Sequence, residues 1–143
     1  HIDKIDYEIF GGMIVMNLSL NHLLLPQFKH LIYIVKNEQI YKEQLLITHI
    51  FPNSKIAEYN TINPYSLISR INGIKVRNLN EFRKALKSPL RKKGKIFITI
   101  ETDNNDKVIL NMDELLEQEK GLVSMYNYKP STVIRNIMNL FSN

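Results

Sequence analysis

The segment from Arg70 to Leu86, RINGIKVRNLNEFRKAL, constrains the fold more than any other stretch of the chain. Its Asn72-Gly73 pair lies between two apolar runs, which is a strong hairpin signal because type I′ turns need positive φ at both central residues. Asn78 followed by Glu81 predicts a capped helix start. The segment therefore predicts a strand, a tight turn, a brief return strand and a helix.

This predicted helix is amphipathic. Arg83, Lys84 and Lys87 face away from its apolar side, and Pro89 ends it because proline cannot continue a helix. The apolar face is formed by Leu79, Phe82, Ala85 and Leu86. Two interpretations remain open at this stage: the apolar face is one wall of a ligand groove, or it simply closes a small core.

Alternating strand and helix patterns along the rest of the chain predict one α+β domain. Strands are expected at residues 13–16, 45–51, 66–71, 74–76, 95–101 and 107–112, the last two joined as a hairpin. Helices are expected from about Pro26 to Lys36, in a short turn capped by Ser54, from a cap at Asp113 toward Met125, and after a cap at Ser131.

Composition excludes several classes of function. The 143 residues carry a formal net charge of +5, but the one basic cluster, Arg91-Lys92-Lys93 with Lys95, lacks the interleaved aromatic residues of a nucleic-acid surface. We interpret it as a solvated loop, with a contact to phosphate or to an acidic partner as the alternative. There is no cysteine, so disulfides and thiolate metal sites are excluded. No apolar run reaches the roughly 18 residues that a membrane span needs.

No catalytic or metal-binding constellation is evident. The four histidines, among them His49 within a strand, have no acidic partner at metal-ligand spacing. The Gly11-Gly12 pair lacks the lysine and the spacing of a phosphate-binding loop. We therefore expect no catalytic residue, no metal and no cofactor, and interpret the chain as a binding or assembly module.

Two stretches together resemble a known family. FGGMIVM is a glycine loop leading into an apolar strand, and SLISRINGIKVRNLNEF is a strand, a hairpin and a capped helix. In this order they resemble the circularly permuted PDZ domain of HtrA/DegP serine proteases. The long insertion at about residues 18–44 makes the chain most similar to the C-terminal PDZ-like domain of the plant-Deg type.

The resemblance implies a small β-barrel or sandwich of about five to six strands capped by helices. It places the PDZ-like domain at residues 1–126, with a partly helical insertion after the first strand. Residues 127–143 would be a C-terminal helical tail that packs on the domain or extends from it. Since the chain begins at His1 without a targeting segment, it is expected to be a mature portion or an excised domain. The family resemblance allows a mitochondrial, plastid, nuclear or secretory location.

PDZ domains bind peptides by strand addition, and the resemblance implies a peptide-binding site here. In it Gly12, Met13 and Ile14 would supply backbone N–H donors to a terminal carboxylate. Met13, Val15, Phe82 and Leu86 would line the apolar pocket, with Leu79 and Arg83 at its mouth. The alternative is that these apolar residues are ordinary core.

Acidic residues before the glycine loop bear on how this site is used. Asp3, Asp6 and Glu8 would oppose a second negative charge, which argues against capture of a free carboxylate. The resemblance then favours a non-catalytic module that assembles and regulates a serine endopeptidase, contacting other domains of the same protease in a homo-oligomer. The alternative is an independent PDZ domain that captures C-terminal or internal peptides.

Overall fold

The computed structural model describes residues 6–19, 26–27 and 43–142. These residues form the strands β1 (Tyr7–Phe10), β2 (Met13–Asn17), β3 (Leu45–Ile50), β4 (Leu67–Ile71), β5 (Ile74–Lys75), β6 (Leu90–Lys92), β7 (Lys95–Thr102) and β8 (Lys107–Asn111). The helices among them are α1 (Lys55–Tyr59), α2 (Leu79–Leu86), α3 (Met112–Tyr126) and α4 (Thr132–Phe141). The predicted α+β class is confirmed.

The strands form one open antiparallel sheet. Its order is β1-β2-β3-β4-β7-β6, with β5 paired to β4 and β8 paired to β7. The long strand β7 joins the two halves, because Ile100 pairs with Ile71 of β4 while Phe97 pairs with Leu90 of β6. All seven strand pairs among the described residues are antiparallel, so short turns can connect most neighbours.

Helices pack against this sheet and close its main core. α2 contacts β2 and β4, α3 contacts β7 and β8, and α4 contacts α2 and β1. The core includes side chains from every one of these layers, among them Val15, Phe82, Ile98, Leu115 and Ile137, each less than 5% exposed. Burial of this apolar surface is the main favourable contribution to folding.

Three of the four predicted helix caps are confirmed. The side chains of Ser54, Asn78 and Ser131 each accept a hydrogen bond from the N–H three residues along. The predicted cap at Asp113 is wrong. Asn111 caps α3 instead, its Oδ1 accepting from the N–H groups of Asp113 and Glu114 at 2.8 and 3.4 Å.

Two strands were not predicted from the sequence. β1 precedes the glycine pair, and β6 contains Leu90, Arg91 and Lys92. The basic cluster was expected to be a solvated loop, but it forms an exposed edge strand and the turn that follows it. These two additions raise the predicted six strands to eight within the described residues. Of the helix predicted at about 26–36, only Pro26 and Gln27 are described, and the rest lies outside the described residues.

Candidate functional site

The region predicted to bind peptide centres on the hairpin of β1 and β2. Gly11 and Gly12 join the strands, and both have positive φ, at 62° and 93°. Phe10 pairs directly with Met13 across this two-residue loop. Positive φ at both loop positions suits the right-handed twist of a hairpin and is most accessible to glycine.

Close packing also requires a glycine at position 12. A Cβ at this position would clash with the side chain of Ser54, which is fully buried. The Gly12 carbonyl accepts a hydrogen bond from the N–H of Phe51 at 2.8 Å. The loop therefore holds the start of α1 against the end of β3, in addition to turning the chain.

Both edges of β2 are paired in this structure. On one edge Met13 and Val15 pair with Ile50 and Ile47 of β3. On the other edge the strand pairs with β1 over its first four residues, so that Ile14 lies opposite Ile9. Strand addition needs an unpaired strand edge, and β1 takes that position on β2 here.

The apolar residues of the predicted pocket come together in the main core. Met13, Val15, Phe82 and Leu86 are all fully buried and belong to one cluster. Leu79, expected at the groove mouth, is buried in the same cluster, and its N–H donates to Oδ1 of Asn17 at 2.9 Å. Phe10 from β1 and Ile134 from α4 also belong to this cluster, so β1 and α4 help close it.

Arg83 forms two ion pairs, which connect α2 to β1 and to the residue just before it. Its Nη2 donates to Asp6 Oδ1 at 2.7 Å, and its Nε donates to Glu8 Oε2 at 3.2 Å. Glu8 is 1% exposed, whereas Asp6 lies at the surface. The hydrogen bond to Asp6, together with that to Glu8, raises the pKa of the Arg83 guanidinium, so this side chain stays charged.

Glu8 also reaches the C-terminal helix. The Ser131 hydroxyl donates to Glu8 Oε2 at 3.1 Å, while its oxygen accepts from the Ile134 N–H at 3.2 Å. One buried carboxylate therefore joins β1, α2 and the cap of α4. A buried carboxylate needs such partners, because ionised groups are costly to remove from water.

The structure gives the acidic residues before the glycine loop a role that the sequence does not predict. Asp6 and Glu8, expected to repel a ligand carboxylate, are both paired with Arg83. The signal that could have indicated β1 is Gly11-Gly12 flanked on both sides by short apolar runs, which is a hairpin pattern. The ion pairs themselves join residues 75 and 77 positions apart, a separation that local patterns do not reveal.

Metal clusters and membrane-spanning helices were looked for in the described part of the chain. Residues 6–19, 26–27 and 43–142 contain no group of three or more histidine, aspartate or glutamate side chains placed to hold a metal ion. Within these ranges, no helix combines the length and the apolar character that crossing a bilayer requires.

Comparison with known proteins supports the resemblance at the level of the domain. A family model described as a PDZ domain matches residues 3–132. No curated protein matches the chain significantly. The family match covers the β1–β2 hairpin, all the other strands, α1 to α3, and the cap of α4.

Proposed function

Because this chain belongs to the PDZ domain family, we propose that it is the protein-interaction module of a Deg/HtrA-type serine protease. PDZ domains are non-catalytic, and their general role is to bind peptides or proteins. In the proposal, the module mediates oligomer assembly and regulation of proteolysis by contacting other domains of the same protease. The peptidase activity itself would belong to a trypsin-like domain elsewhere in the parent protein.

The observation that carries this proposal is the pairing of β1 along β2. Ile9 and Phe10 are nearly fully buried beside β2, and Glu8 is held by Arg83 and Ser131. A peptide that added to the same edge would have to remove these residues and leave Glu8 without its partners. This cost favours docking through outer surfaces over capture of free C-termini at Gly12, Met13 and Ile14.

Capture of peptides by an independent PDZ domain is the second candidate function. It is favoured by one observation, namely that Met13, Val15, Phe82 and Leu86 form a contiguous apolar cluster beside the Gly11-Gly12 loop. If β1 leaves, this cluster becomes the pocket that the family resemblance implies. Capture of C-terminal peptides requires a free carboxylate, whereas the assembly function does not.

Titration with peptides separates the two candidates. A peptide with an apolar C-terminal residue and its C-terminally amidated twin would be titrated against the wild-type chain and against Glu8→Ala, which loses the contacts that hold β1. We expect neither peptide to bind the wild-type chain at micromolar concentration. Binding of the free acid alone to the wild-type chain would contradict the assembly proposal and support peptide capture.

The complete reading frame tests the protease context. We expect it to encode a trypsin-like domain with its own histidine, aspartate and serine. We also expect the full protein to sediment as a homo-oligomer whose size falls when the present chain is deleted. An open reading frame without such a domain, or an oligomer unchanged by the deletion, would overturn the proposal.

A further inference from the structure

A cleft between α3 and α4 lies outside the β1–β2 region. Its volume is about 870 Å³, within the range of cavities that hold ligands. Its walls are half-buried and largely apolar, with Leu116 and Val123 from α3, Pro130 from the connecting loop and Met138 from α4. The apolar part of the cleft can therefore pack against a hydrocarbon chain.

The same cleft is acidic although the chain as a whole is basic. Asp113, Glu117 and Glu119 line it, against one lysine, Lys120, among the described residues. Asp113 and Glu117 stand four residues apart on one helix, where like charges are mildly destabilising. None of the three carboxylates has an ion-pair partner in the described part of the chain. A cationic ligand would relieve this repulsion.

Glu119 is the buried member of the acidic group. It is 5% exposed, and its Oε1 accepts a hydrogen bond from the Tyr128 hydroxyl at 2.7 Å. Within the described residues, no second hydrogen bond reaches this carboxyl group. Burial raises the pKa of Glu119, an effect that the Tyr128 hydrogen bond partly offsets. The carboxylate thus has unused capacity to accept a hydrogen bond from a charged donor.

We propose that the α3–α4 cleft binds a lysine or arginine side chain from a linear segment of a partner protein. The hydrocarbon stem would pack between Leu116 and Met138, and the charged head would pair with Glu119. Long basic side chains are suited to a site with apolar walls and a charged end, whereas a hydrated metal ion is not. The proposal rests on the proposed function as a protein-interaction module and names the chemistry of the partner.

A peptide array tests this proposal without knowledge of the natural partner. Each spot of the array holds random heptapeptides that are blocked at both ends and share one defined central residue. From spot to spot this central residue runs through all twenty amino acids, acetyl-lysine and norleucine. The labelled wild-type chain is expected to select central lysine and arginine over acetyl-lysine and norleucine by about tenfold. Blocked termini keep this result independent of carboxylate capture beside β2.

Matched variants test whether the preference for lysine and arginine arises in the cleft. Glu119→Gln keeps an acceptor for Tyr128 but removes the charge, and it should lose the tenfold preference. Asp113→Asn, at the exposed rim, should reduce it by about two- to threefold. Glu114→Gln makes the same change on α3 at a residue that does not line the cleft, and it should bind like the wild-type chain.

The outcomes separate binding from a merely structural role. Thermal unfolding of each variant first establishes that it is folded. Equal selection by Glu119→Gln and Glu114→Gln, or no preference for lysine and arginine in the wild-type chain, would overturn the proposal and leave Glu119 as a partner of Tyr128 only. Neither result would affect the proposed assembly function, which is tested separately by sedimentation of the full protein.

Discussion

At the scale of single residues, Gly12 and Gly73 make a matched pair. Both have positive φ, at 93° and 77°, and both lie in turns between strands. They differ in their surroundings, because a Cβ on Gly12 would meet Ser54, whereas a Cβ on Gly73 would meet nothing within 4 Å. The two positions therefore separate the cost of backbone conformation from the cost of a steric clash.

Gly12→Ala is expected to destabilise the chain by at least about 3 kcal/mol, since strain from positive φ adds to displacement of a fully buried side chain. Gly73→Ala should cost only the conformational part, about 1 to 2 kcal/mol. Urea unfolding followed by circular dichroism measures both values. Equal decreases in the free energy of unfolding for the two variants would show that the packing of Gly12 against Ser54 does not contribute to stability.

Glu119 gives a prediction about pH. Because burial raises its pKa in the folded chain above that of an ordinary glutamate, about 4.3, the folded state binds this proton more tightly than the unfolded state. The associated stability is fully present below the ordinary pKa and is lost as pH rises through the raised pKa. Glu119→Gln cannot lose a proton, so its stability relative to the wild-type chain should increase across that interval.

Unfolding of both proteins by urea at pH 4 and pH 8 measures this difference. Tyr128 donates a hydrogen bond to Glu119, and Asp113, Glu117 and Lys120 line the same cleft. These titratable groups are the same in both proteins. A difference in unfolding free energy that does not change with pH would contradict the prediction.

At the scale of elements, the Asn-Gly turn between β4 and β5 also anchors α2. The Nδ2 group of Asn72 donates to the Ala85 carbonyl at 2.9 Å, and its Oδ1 accepts from the Thr99 N–H at 3.0 Å. Asn72 is buried, so these hydrogen bonds satisfy backbone groups at the end of α2 and in β7 that water does not reach.

Asn72→Gly keeps a residue that tolerates positive φ but removes both hydrogen bonds. We expect a loss of about 1 to 3 kcal/mol, because the buried Thr99 N–H loses its acceptor, while the Ala85 carbonyl keeps the hydrogen bond from the Ser88 N–H at 3.1 Å. Asn105→Gly is the control, since Asn105 also has positive φ but lies exposed in the turn between β7 and β8. Similar free energies of unfolding for the two variants would contradict an anchoring role.

Local sequence patterns predict where helices and strands begin better than they predict which residues make tertiary contacts. The helix starts at Ser54, Asn78 and Ser131 follow from residue types three positions apart, and the structure confirms them. The strand Tyr7–Phe10 was missed because four residues before a glycine pair are too few for a periodic signal. The contact of Glu8 with Arg83 and Ser131 depends on the tertiary fold, which no local pattern encodes.

At the scale of the whole molecule, α4 belongs to the main core. Ile134, Ile137 and Phe141 are each 5% exposed or less and pack in the same cluster as Phe82 and Leu86. The division at residue 126 remains a prediction from the resemblance, and α4 packs on the residues before that division. Burial of its three large side chains contributes about 2 kcal/mol each.

Ile137→Ala should therefore destabilise the whole chain by about 2 to 5 kcal/mol, with one cooperative transition. Leu140→Ala is the control on the same helix, because Leu140 is 67% exposed and its truncation should have little effect. Denaturant unfolding monitored by circular dichroism gives both values. An unchanged stability for Ile137→Ala would indicate that α4 is a separate tail.

The two-glycine connection between β1 and β2 has a consequence for competition. A segment joined by so short a tether has an effective local concentration on the order of millimolar or more. A free peptide at micromolar concentration and equal intrinsic affinity is therefore outcompeted by about a thousandfold. A partner held beside the domain by its own covalent or oligomeric attachment meets no such disadvantage. Under the proposed function, the hairpin would therefore favour attached partners over free peptides of the same intrinsic affinity.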